Sequence, residues 1–230
     1  MCAPLRGASM IQHLAEFFKE GGPFMFVNLV ASAVAVAIII ERIVALAFRL
    51  NVNAAPFMEQ IQKLVMTNNV DRAIKLCGAA PKAALSRVVL AGLSRANRGE
   101  AEVSRALEEA VLEVTPLVGK RIASLWSLAN IATLLGLIGT ITGLIGTFKS
   151  LGAASPEMKQ LMLSRGISEA MNNTAFGLGI AVTCIVAHLM LTSKSKAMIE
   201  ELELNALKLE NLLSRRVSGE TNPLDVARSA

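Results

Sequence analysis

The stretch Leu134–Lys149, LLGLIGTITGLIGTFK, constrains this chain more than any other. Gly136, Gly139, Gly143 and Gly146 recur at alternating steps of three and four, which places them along one stripe of a helix. Thr133, Thr140 and Thr147 fall on the flank of that stripe. A glycine costs roughly 1 kcal/mol in a water-exposed helix, so four in one apolar segment need compensation. In a bilayer the compensation is close approach of backbones, because small residues let helices pack where lipid supplies no force to drive them together. Hydroxyls beside the stripe then face protein or a wet path rather than lipid. The stretch predicts a transmembrane helix, packed on one side and lining something on the other.

Composition points the same way. Of 230 residues, 53% are hydrophobic and 18% charged, against about 25% charged in ordinary soluble domains. The formal charge of +5 does not mark a nucleic-acid binder, because basic residues alternate with acids and no aromatic platform accompanies them. Cys2, Cys77 and Cys184 are scattered without metal-ligand spacing, and Cys77 and Cys184 read as reduced thiols. No phosphate loop, nucleophile constellation or metal cluster stands out. Neither an enzyme nor a metal or cofactor site is expected.

In order, the chain predicts an all-α integral membrane protein with three transmembrane helices and long cytoplasmic helical extensions. Residues 1–23 hold an amphipathic fragment (Ile11, Leu14, Phe17, Phe18) suited to a membrane surface. The first span is placed at 24–48; from Phe24 to Ile40 it meets one polar amide, Asn28, and its length favours an uncleaved anchor over a signal peptide. Residues 49–123 read as a loop of short helices, with Pro116 expected to kink the last one rather than end it. The second span follows at 124–148, a polar loop at 149–166 and the third span at 167–192. Residues 193–230 give a helix over Met198–Leu213 and a loose tail. Arg42 and Arg49, Lys120 and Arg121, and Lys194 and Lys196 flank the spans so as to put the long loop and the C-terminus in the cytoplasm and the N-terminus outside.

The chemistry lies between spans two and three. Ala170, Asn173, Thr174, Gly177, Ala181, Cys184 and His188 share a helix face, and antiparallel packing brings Thr140 and Thr174 to comparable depth. A threonine in a spanning helix ordinarily bonds back to its own turn. A matched pair beside glycines reads instead as a lining that can hold water or a neighbouring carboxyl group. Thr133, Thr147, Glu169 and Asn173 are candidates for the pore or its rim; Gly136, Gly139, Gly143, Gly146 and Gly177 are candidates for helix packing. Glu169 has a second reading as a cap on span three, where negative charge meets the positive helix end. Glu41 and Arg42 are an interface ion pair, a buried pair or a solvated membrane edge, and His188 is an interfacial anchor. The central parts of spans two and three hold no carboxylate, so a proton path there needs one from a partner.

These residues carry a resemblance. Gly136-Leu-Ile-Gly-Thr140-Ile-Thr-Gly143 resembles the GLxGTVxG signature of the ExbB/TolQ proton-channel proteins, relatives of MotA. Gly166-Ile-Ser-Glu169-Ala-Met-Asn-Asn-Thr174-Ala-Phe-Gly177-Leu resembles their GIAEAL-x-x-TA-x-GL segment, with Arg165 where the family has proline and Asn172-Asn173 where it has apolar or small residues. The resemblance implies a homopentamer in the bacterial inner membrane, N-terminus periplasmic, surrounding the single spanning helices of an ExbD/TolR-like dimer. The partner's aspartate would carry the proton, and Thr140 and Thr174 would line its path. Such a stator converts ion flow into work on the cell envelope: import, envelope maintenance or surface motility. The rival reading is a passive membrane scaffold whose small-residue faces only pack helices.

Overall fold

A computed structural model describes residues 22–50, 52–152 and 155–218. The N-terminal amphipathic fragment, save its last two residues, and the tail after Ser218 lie outside the described residues. Within them the regular structure is helical: α1 (Gly22–Val44, continued by a π-helical turn at Ala45–Arg49), α2 (Ala54–Met66), α3 (Val70–Gly78), α4 (Ala84–Ser94), α5 (Glu100–Gly119), α6 (Ile122–Leu151) and α7 (Pro156–Ser218). Stretches containing α1, α6 and α7 are long and apolar enough to cross a membrane. The chain divides into two compact units, one of residues up to Ile40 with Arg121–Met190, the other of Glu41–Lys120 with residues from Leu191 onward.

The first unit is built as a lipid-embedded bundle would be. Its large aliphatic side chains point outward, with Leu134 at 58% and Val182 at 60% exposure. Its interior is small: Ala35, Ala129, Ala132, Ala181 and Cys184 pack together with Ile180. Small side chains inside and leucines outside invert the order of a water-soluble core.

In the second unit the order is the usual one. Ile61, Val65, Val88, Val89, Leu107, Val114 and Leu209 are buried, while Glu59, Lys63, Glu108 and Glu109 face outward. A Cβ on Gly92 of α4 would stand 2.7 Å from Leu107 and 3.3 Å from Leu209, so glycine there lets α4 seat closely on both. Ser86 Oγ donates to the Cys77 carbonyl at 2.6 Å, tying α4 to α3.

Pro116 does not end α5, as expected. Other expectations change: the helix does not run on into Ile122 but stops after Gly119, at Arg121, whose φ of 59° is left-handed. Proline removes one backbone bond, whereas a left-handed residue turns the chain out of the helix. The polar loop expected over 149–166 narrows to the few residues between Leu151 and Pro156. There the Ser155 carbonyl accepts from the amides of Met158 and Lys159, and Pro156 occupies a first-turn position that needs no donor. Glu169 consequently sits well inside α7, so it does not cap a helix start.

Candidate functional site

Helices α6 and α7 run antiparallel through the first unit, and their glycines set how closely they meet. A Cβ on Gly177 would lie 2.6 Å from the Ala132 carbonyl, and one on Gly136 would lie 3.3 Å from Thr174 Cα. A Cβ on Gly143 would lie 3.5 Å from Ala170 Cβ, an ordinary contact. On the other strip of the seam, a Cβ on Gly139 would overlap the Asn173 amide, and one on Gly166 would overlap the Thr147 side chain. Gly146 has open space where its side chain would be. The stripe read from the sequence is therefore not uniform: Gly136, Gly139 and Gly177 are sites of close approach within the chain, and Gly146 is not.

Close approach delivers the hydroxyl pair. Thr174 Oγ1 lies 3.2 Å from the Gly136 carbonyl and 3.4 Å from Thr140 Oγ1, and can donate to either. Thr140 donates to the Leu137 carbonyl of its own turn at 2.7 Å, which leaves its oxygen able to accept from Thr174. Thr133 and Thr147 likewise bond back, to Asn130 and Gly143. Among these four threonines, Thr174 is the one whose hydroxyl reaches across to the other helix.

Toward the α6–α7 turn lies a cleft of about 430 Å³, lined among others by Phe24, Thr142, Thr147, Arg165, Glu169 and Asn173. Glu169 is half-buried on its wall. Asn173 belongs both to this wall and to a bond with Asn28, whose Nδ2 lies 3.5 Å from Asn173 Oδ1. Sequence reasoning noted Asn28 only as an interruption of an apolar run. The signal was there, since a polar group inside a span has to be satisfied by another helix. Thr142 was also passed over, and Arg165 was noted only as standing where the family has proline.

Other expected residues fall elsewhere. Arg42 Nη2 meets Glu41 Oε1 at 2.9 Å, with the arginine side chain 6% and the glutamate 41% exposed. This is a half-buried pair between neighbours in sequence. His188 Nδ1 lies 3.0 Å from the Ile122 carbonyl, and its ring stands 6.0 Å from that of Trp126. The imidazole thus fastens the start of α6 to α7.

An all-helical membrane protein with hydroxyls, amides and a carboxylate gathered along one small-residue seam has the character of a membrane channel protein. The model of the MotA/TolQ/ExbB proton channel family matches residues 80–204, more than half of the chain, and the chain belongs to that family. It is a family of channels and transport rather than of catalysts. A search of curated proteins finds no match.

Proposed function

We propose that the chain is the pore-lining stator subunit of a proton-motive-force-driven motor in the bacterial inner membrane. In this reading a homopentamer surrounds the spanning helices of an ExbD/TolR-like dimer. The N-terminus is periplasmic, and the 49–123 region and C-terminus are cytoplasmic. The observation that carries the reading is the Thr140–Thr174 pair, two hydroxyls held 3.4 Å apart on facing helices. A partner carboxyl group crossing hydrocarbon loses about 2–7 kcal/mol if it finds no hydrogen-bond partner. Both hydroxyl protons are spent within the chain, so the pair offers acceptor oxygens at one depth to the O–H of a protonated carboxyl group. The absence of a carboxylate from the central parts of α6 and of the third span fits a proton carrier supplied by the partner. Glu169 and Asn173 form the polar approach from the cleft.

The test is proton flux into proteoliposomes containing the chain with an ExbD/TolR-like partner from the same genome. Thr140→Val and Thr174→Val keep the side-chain shape without the hydroxyl. Each should lower flux while pull-down shows the complex intact, and Thr→Ser should retain part of it. Normal flux in both valine variants would leave the scaffold as the better account.

A further inference from the structure

Asn28 of α1 and Asn173 of α7 are 0% and 2% exposed. Their amides meet at 3.5 Å, Nδ2 of Asn28 toward Oδ1 of Asn173, and Asn28 Oδ1 has no partner among the described atoms. The Asn173 amide occupies the notch that Gly139 leaves in α6. All three helices of the first unit therefore meet at this one polar contact. Packing does not require it, because leucine has a similar volume and brings no polar atoms to bury. An amide contact differs from an apolar one in being directional.

Direction matters because the next residue is Thr174. On a helix, successive side chains are fixed about 100° apart, so holding Asn173 toward α1 and Gly139 also fixes where Thr174 points. The Thr174 contacts, at 3.2 and 3.4 Å, are longer than the usual 2.5–3.0 Å of an O–H···O bond. A small rotation of α7 about its own axis breaks them. We propose that the Asn28–Asn173 pair is a positioning device that sets the rotation of α7 at which the Thr174 hydroxyl reaches Gly136 and Thr140. Its functional importance rests on the proposed lining role of those threonines, whereas the positioning itself does not.

The two are tested separately. In a chain with Cys2, Cys77 and Cys184 replaced by alanine, Thr140→Cys and Thr174→Cys place thiols where the hydroxyls face each other. Copper phenanthroline in air oxidises them, and mass spectrometry after alkylation counts the cross-linked fraction. Asn28→Leu or Asn173→Leu alone strands one buried amide, while the double leucine variant removes both and should recover the parent melting temperature. Cross-linking in the double variant should nevertheless be roughly tenfold slower, the change that losing one such bond corresponds to. Asn173→Asp, whose protonated carboxyl keeps the acceptor for Asn28, should cross-link as the parent does. Undiminished cross-linking in the double leucine variant, or slow cross-linking in Asn173→Asp, overturns the positioning role. With the threonines intact, the double leucine complex should assemble but conduct less. If cross-linking depends on the amides while Thr→Val leaves flux normal, the lining reading falls and the positioning role stands.

Discussion

Threonine hydroxyls in this chain are not equivalent. Thr174 crosses to α6, Thr140 bonds within its own turn, and Thr192 Oγ1 is buried with no partner among the described residues. In detergent melts, Thr174→Val should destabilise by about 0.5–1.5 kcal/mol and Thr140→Val by less. Thr192→Val, which removes an unpartnered hydroxyl, should be neutral or stabilising. Equal losses at all three positions would contradict this ranking. Cys77 makes a second case. Burial pushes its thiol up to about 11. The thiolate is scarce at neutral pH, so iodoacetamide should modify Cys77 only after denaturation. Rapid labelling of the native protein would mean that α3 and α4 open. Thr140 and Thr174 were legible from the sequence because helix rise alone puts them at one depth. Asn28 was not, because nothing within its own helix says which of the other helices its amide turns to.

Helices announced themselves by periodicity, and their ends did not. The patterns of α2 through α5 follow the spacing of apolar residues, yet the break at Arg121 depends on a single backbone conformation. The start of α7 at Pro156 converts charged residues expected in a loop into a helix extension, since charge pattern reports solvent and not backbone state. The glycine stripe was legible as a packing surface, but not which glycine meets what. Gly139→Leu should clash with Asn173, overpack the α6–α7 seam and cost about 1–3 kcal/mol. Gly146→Leu meets open space within the chain. It should leave the fold stable; if the proposed homopentamer seats a neighbouring copy at that notch, native mass spectrometry will show the assembly weakened. Strong destabilisation by Gly146→Leu and none by Gly139→Leu would refute this division of the stripe.

For the whole molecule, fold class and membrane character were legible from composition and hydropathy, because both follow from bulk apolar content. The sidedness rests on the arrangement of Lys and Arg around the spans. Cysteine introduced at Ser155 should label from outside intact cells, and at Asn97 only after permeabilisation; the reverse pattern would invert the proposed orientation. The Asn28–Asn173 contact has a further consequence, for biosynthesis. Its partners are 145 residues apart in the chain. At about 5–20 residues per second of translation, roughly 7–30 s pass between the emergence of one amide and the other. For that interval α1 waits in the translocon or bilayer with a bare amide. A chain that stops before Asn173 leaves that amide without its Asn173 partner, a cost of about 1–3 kcal/mol for a buried group. Truncation before α7 should shorten the lifetime of the chain, and Asn28→Leu in that truncated chain should lengthen it again.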